Sequence, residues 1–367
     1  MVWAKSSAKK HRSWMTNLFV LPLTLSIVGL FFVFEASSVR SITERGDAFY
    51  FLKLQAVWLF LGLTVMFFFS RFDYHRLYFF SFPSMFLALV SLMIVLIPGI
   101  GSQVGGARRW IDIGPVSFQP TELAKFSVVI YLSSWFVNYE KKRFFTFLSL
   151  LGVLIFLIIL QPDMGTAIII FALSIIVYYL AGVETYYLLF LIPAAIAGFF
   201  VLVKISPYRF KRLLAFINPA LDPQGISYHI NQILISLSNG GLFGQGLGAS
   251  RQKYLFLPEA HTDSIFAIIA EEIGFLGSFI LIATFIYLIL TIFKVIERAP
   301  DRFARLLAGG IFAYFCLQII INLAGMTNLL PLTGVPLPFI SYGGSNMLVS
   351  YALIGILLNI SKKVKKT

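Results

Sequence analysis

The chain is poor in the residues on which soluble enzymes and metal proteins usually rely. Of 367 residues, one is cysteine, four are histidine and only 12% are charged. A single thiol, Cys316, set in an apolar run, excludes an intrachain disulfide and implies no thiol chemistry. The few histidines are scattered, so no His/Cys cluster of metal-binding type is present. A soluble domain carries about a quarter charged residues, so water is not the main solvent of this chain. Acidic residues are the scarcer sign, 16 against 29 basic, for a net charge of +13. No fixed-period repeat occurs, and no low-complexity tract beyond the basic tails. The basic first 14 residues lead into an apolar run without an A-x-A-like cleavage site, which reads as a retained anchor.

Apolar residues are abundant: 59% of the chain is hydrophobic and the mean hydropathy is +0.87. Runs approaching the roughly 20 residues that cross a bilayer core recur from end to end. They predict an all-α integral membrane protein with ten spans, at 15–38, 50–70, 76–98, 121–138, 144–160, 165–182, 185–204, 264–293, 304–326 and 339–360. The whole chain, 1–367, reads as one polytopic domain. It has cytoplasmic basic tails at 1–14 and 361–367 and one large extracytoplasmic loop at 205–263. With the N-terminus inside, 17 of the 29 basic residues fall on the cytoplasmic side, as the positive-inside rule requires. The positive charge is therefore a topology signal, and nucleic acid is not expected as a partner. The 205–263 loop is too long for a bare connector. Within it Ile226, Ile230, Ile233, Leu234 and Leu237 recur at helical spacing, predicting an amphipathic helix at the interface.

The outward loops hold the polar motifs. In GGARRWIDIGPVSFQPTELAK (105–125), Pro120 suits a first helical position and Glu122 a first turn. Glu122 and Lys125, three apart, either neutralise each other or act with Arg109 on an anion at the bundle mouth. In QPDMGT (161–166), Asp163 is a helix cap or a substrate contact. Arg209, Lys211 and Arg212 in one turn are either snorkelling cations or a phosphate clamp, for which arginine's planar fork is suited. Lys253 lies in the same outward loop and joins the candidate binding residues. In PLTGVPLPFISYGGSN (331–346), Ser341, Gly343 and Gly344 form a sharp turn or a backbone cradle for an anion.

The stretch YLFLPEAHTDSIFAIIAEEIGFLG (254–277) sets a polar knot at the mouth of an apolar helix. Ionised carboxylates in hydrocarbon cost several kcal/mol or more. Glu271 and Glu272 must therefore be paired or face the bundle interior. His261 reads as a satisfied polar group. Asp263 stands where water, lipid headgroup and membrane surface meet, and is the candidate general base.

GGARRWIDIG, FQPTELAK, QPDMGT, the YR, KR, NP, DP and G of 208–225, GGLFGQGLGASRQKYLFLPEAHTD and GVPLPFISYGGS together resemble the SEDS family of peptidoglycan polymerases. They occur in the same order from about Ala36 to the last span. LGASRQKYLFLPEAHTD is closer to the division-type members than to the elongation-type ones. The chain departs from the usual pattern at Asn346, where a second serine is common, at Ser264, where an aromatic is common, and at Glu35, where serine is usual. The resemblance implies a lipid II-dependent glycosyltransferase acting outside the cytoplasmic membrane, with Asp263 matching the family's essential aspartate. It implies a class B penicillin-binding protein (the division transpeptidase) and other divisome proteins as partners. An elongation role, a lipid II flippase and a non-catalytic divisome scaffold are the alternatives. A lipid pyrophosphate leaving group needs cationic stabilisation, expected from Arg109, Lys125 and Arg212. A divalent cation, Mg²⁺ or Mn²⁺, held by Asp263 is a further expectation, with no organic cofactor.

Overall fold

The computed structural model describes residues 2–104, 106–114, 116–138 and 143–364. Lys141, Lys142, Lys365 and Lys366, assigned above to the inner side, lie outside the described residues, as do the side chains before Trp14. Each predicted span coincides with a helix: α1 (Val2–Arg45), α2 (Tyr50–Arg71), α3 (Leu77–Ile94), α4 (Pro120–Trp135), α5 (Phe144–Leu160), α6 (Met164–Leu180) and α7 (Leu188–Ile205) come first. The long loop folds into α8 (Pro207–Ile217) and α9 (Tyr228–Gly240), and α10 (Ile265–Glu297), α11 (Arg302–Met326) and α12 (Gly344–Lys363) follow. Seven of these are long and apolar enough to cross a membrane, and α5 and α6 are shorter apolar helices.

Two segments differ from expectation. Residues 101–118 form a three-stranded antiparallel sheet, β1 (Gly101–Val104), β2 (Ala107–Ile113) and β3 (Val116–Phe118), with β2 central. The alternation in ARRWIDI is strand-like, and turns at Gly106 and Gly114, both with positive φ, close the two hairpins. The last helix starts at Gly344 instead of residue 339. Residues before it run as an irregular loop in which Phe339 has φ 68°.

Burial sorts the helices. Within their most apolar windows, 83% of α12 is buried but only 6% of α7. α12 packs on α2, α11 on α4, α6 and α10, and α3 on α4. The outer faces of α2, α3 and α7 expose large apolar side chains such as Phe60, Phe79 and Phe190, as lipid contact requires. The amphipathic segment of the long loop is helical: α9 packs on α10 and turns Ile230 and Ile233 inward.

Candidate active site

The helix that opens the polar knot is broken. At Gly274 the backbone turns to φ 68° and ψ −168°, so α10 is two helices meeting at a kink. The Gly-rich segment 241–246 is laid into the break. Gln245 and Gly246 donate their N–H groups to the carbonyls of Glu271 and Glu272 at 2.9 and 3.1 Å, and Phe275 and Leu276 donate to Gly241 and Leu242 at 2.9 and 3.1 Å. Helix ends leave backbone groups without partners. In a membrane those groups must be satisfied internally, and here the loop supplies the partners.

Both acids beside the break are paired, as their burial demands. Lys253 Nζ lies 2.7 Å from Glu35, 3.4 Å from Glu272 and 2.7 Å from the Gly248 carbonyl. Glu271 accepts from the Ser250 hydroxyl at 2.5 Å and from Asn239 at 3.3 Å. Lys253 is thus a buried tie joining α1, the loop and upper α10, which corrects its assignment to the substrate. Glu35→Ser leaves Lys253 its other two partners, so the expected cost is one charge-assisted hydrogen bond, about 1.5–3 kcal/mol. A lowered melting temperature of the purified protein is the readout, and an unchanged one would disprove the tie.

Asp263 lies two residues before α10, half-buried. Asn322, from α11, donates to the Asp263 carbonyl at 2.9 Å and to the Val335 carbonyl at 2.8 Å, joining the aspartate to the 331–343 loop. Gly334 has φ 73°, and a Cβ there would stand 3.6 Å from Asp263 Oδ2. The Thr262 hydroxyl lies 3.3 Å from Asp263 Oδ1 and 2.8 Å from Glu259 Oε2. Burial, then the Glu259 charge, pushes the Asp263 carboxyl up to about 7, against its own backbone N–H, Arg212 and Thr262. Such a group is poised near neutrality, as general bases are. His229 of α9 approaches from the other side, its Nε2 2.8 Å from the Ser264 hydroxyl. Burial and then Arg212 push His229 down to about 4, so it is neutral at pH 7.

Of the cations assigned to the pyrophosphate, Arg212 is the one that reaches this place. It donates to the Leu332 carbonyl at 3.2 Å and acts electrostatically on both Asp263 and His229. Arg209 reaches the Ile159 and Leu202 carbonyls at 3.4 and 3.5 Å. Arg109 binds the Gln161 and Pro162 carbonyls at the α5–α6 turn. Asp163 caps α6, accepting from the Thr166 N–H at 3.1 Å and its hydroxyl at 2.9 Å. Glu122 and Lys125 form a 2.6 Å ion pair with each side chain only 2% exposed. Lys125 is enclosed in the bundle and does not face the mouth, so the neutralising reading holds. The glycine turn is also committed. Gly343 donates its N–H to Gln55 at 3.3 Å, and Ser341 Oγ accepts from the Leu337 N–H at 2.9 Å. A Cβ at Gly344 would stand 2.0 Å from the Trp58 ring. This turn packs and carries no open anion cradle.

His229, Asn322, Gln318 and Tyr314 escape the sequence reading. A lone Asn or Gln inside an apolar span is a signal in itself, and the run at 311–323 contains both. Gln318 accepts from Asn346 at 3.0 Å, and Asn346 also lies 3.4 Å from Glu122 and 3.5 Å from Tyr314.

Residues 15–366 match the FtsW/RodA/SpoVE family model, described as cell cycle protein. The chain is 37% identical to the probable peptidoglycan glycosyltransferase FtsW of Geobacter metallireducens, over 99% of this chain and 98% of that one. It is 37% identical to stage V sporulation protein E of Bacillus subtilis, over 94% and 96%. Among solved structures it resembles the rod shape determining protein RodA of Thermus thermophilus with a TM-score of 0.70, 26% identity and 95% and 96% of the two chains covered. It also resembles a chain of the structure described as structural coordination of polymerization and crosslinking by a peptidoglycan synthase complex, with a TM-score of 0.78, 26% identity and 94% and 96% covered.

Proposed function

The chain belongs to the FtsW/RodA/SpoVE family of cell cycle proteins, and on that premise we propose that it is a peptidoglycan glycosyltransferase. It polymerises lipid II into glycan strands at the outer face of the cytoplasmic membrane during cell division, with both termini cytoplasmic. The observation that carries this reading is Asp263, held at the helix mouth by Asn322 against the 331–343 loop that Arg212 also reaches. In the transfer, an acceptor sugar hydroxyl attacks the anomeric carbon of the donor. The new carbon–oxygen bond takes the hydroxyl's electrons while its proton passes to Asp263. The bond to the lipid pyrophosphate breaks, and the undecaprenyl pyrophosphate leaves with that electron pair. Arg212 is the cation placed to stabilise the growing negative charge.

Among the described residues no group of three or more His, Cys, Asp or Glu side chains is arranged for a metal ion. A divalent cation would have Asp263 and Glu259 as its protein carboxylates, and no step here is routed through one. The crosslinking partner we propose is a class B penicillin-binding protein, in keeping with the peptidoglycan synthase complex among the structural relatives. Purified protein, with and without that partner, incubated with labelled lipid II is expected to yield glycan ladders. Their absence in every combination would overturn the enzyme.

The electrostatics predict opposite pH behaviour for two neighbours. Arg212 lowers the Asp263 pKa and Glu259 raises it. Arg212→Gln is therefore expected to shift the midpoint of the activity–pH curve upward, and Glu259→Gln downward. Arg212→Gln also weakens substrate use by about 10- to 150-fold, the worth of one charge-assisted contact. Midpoints that move together in one direction would exclude this arrangement.

A further inference from the structure

At the end of the bundle away from Asp263, the C-terminus of α6, the α10–α11 turn and the start of α11 line an open cavity of about 350 Å³. Its walls include Leu180, Gly182, Pro300, Arg302, Arg305 and Leu306. Leu180 is 44% exposed at the end of a span, so the cavity opens where acyl chains meet headgroups.

The arginines at this end are mostly occupied. Arg71 lies over the Phe67 ring, Arg76 over Phe72 and Arg298 over Trp14. Arg143 donates to the Trp135 carbonyl and Arg302 to the Ala181 carbonyl at 2.9 Å. Arg305 is the exception: it is exposed and has no partner among the described residues, and it borders the cavity. One acid, Asp301, also lines the cavity, but its oxygens are engaged elsewhere. They cap Ala304 at 2.8 Å and take the Tyr74 hydroxyl, with His75 Nε2 at 3.4 Å. The α11 N-terminus adds the positive end of its dipole.

We propose that this cavity binds the phosphodiester headgroup of an anionic phospholipid in the adjoining leaflet. Arg305 presents its planar fork to the phosphate oxygens, Arg302 supplies a second charge through the N–H groups not given to Ala181, and an acyl chain lies along Leu180. Basic pockets between spans on the cytoplasmic side bind anionic headgroups by this chemistry.

The test uses the full chain in nanodiscs of phosphatidylcholine doped with phosphatidylglycerol, and lipid retention is read by native mass spectrometry. The wild type is expected to retain phosphatidylglycerol over phosphatidylcholine. Arg305→Gln should lower that preference about fivefold, and the double variant with Arg302→Gln about 25-fold, at roughly one surface cation's worth per arginine. Arg298→Gln, outside the cavity, should change nothing. Equal loss with Arg298→Gln would mean general surface charge, and full retention by the double variant would place the lipid elsewhere; either overturns the site. Displacement of the lipid by millimolar inorganic phosphate would make free phosphate the ligand and refute the lipid. These readouts do not depend on glycosyl transfer, so the site and the enzymatic reading fail separately.

Discussion

Asp263→Asn protein is expected to give no glycan ladder from labelled lipid II, with turnover lower by about 10²–10⁴-fold, the usual worth of a general base. The substitution keeps the size and removes the basicity. Asn322 binds the Asp263 backbone carbonyl, so the packing of the loop does not depend on the carboxylate. Stability offers an independent check of fold. An unfolded Asp titrates near 3.9, whereas the folded group titrates near 7. Between these values the folded state holds a proton that the unfolded state has lost. The stability this lends is complete below the unfolded value and is lost as pH rises through 7. Asn pays no such penalty, so Asp263→Asn should melt above the wild type at pH 8, with the gap narrowing towards pH 4. Wild-type activity should rise with pH through about 7 for the same reason. A well-folded Asp263→Asn enzyme polymerising at the normal rate would remove this residue from the mechanism.

Gly274→Ala is expected to leave little folded protein. Its φ and ψ lie in a region that is essentially glycine's alone, costing other residues about 1–3 kcal/mol. A Cβ would stand 2.2 Å from the Gly244 nitrogen and 2.6 Å from the Phe243 carbonyl carbon. Both are backbone atoms with no side-chain freedom to yield. Moving that segment strains four loop-to-helix hydrogen bonds, each worth about 0.5–1.5 kcal/mol. The sum, on the order of several kcal/mol, rivals the whole stability of an ordinary domain. Gly99→Ala is the control: φ there is 93°, but nothing lies within 4 Å of a Cβ, so it bears only the backbone penalty. Size-exclusion profiles and thermal melts of the two variants compare the effects. Equal behaviour would show that the break tolerates a side chain.

The helices at the ten expected spans were legible because the length of an apolar run is a local signal. The position of Asp263 at a helix mouth was legible because an apolar run begins directly after it. The sheet at 101–118 was obscured by its glycines, which read as turns with no strands between them. The break in α10 was invisible because a lone Gly274 within a span gives no local signal of a kink, and only the facing segment 241–246 reveals what fills it. The intrachain contacts of Arg109, Lys125 and Lys253 were not legible, for one shared reason. A cation near the membrane surface looks the same in sequence whether its partner is a ligand or another part of the chain. The three departures from the family pattern proved informative. Glu35 meets Lys253, Ser264 meets His229 and Asn346 meets Gln318, so each is tied to a neighbour in the fold.

The buried pair on α4 bears on how the chain enters the bilayer during synthesis. α4 is 16 residues long and is not among the helices apolar enough to cross unaided. A lone charge within a span is costly to insert, up to about 2.5–3.5 kcal/mol at its centre, and Glu122 and Lys125 lie in the first two turns of α4. Because Glu122 and Lys125 are three apart and 2.6 Å from each other, α4 can enter as a neutral unit that carries its own counter-ion. Its remaining polar groups include Thr121 and Ser127, and the Ser127 hydroxyl donates to the Ser84 carbonyl of α3 at 3.0 Å. α3 is therefore the helix against which α4 settles most of this polarity, and the two pack as a pair.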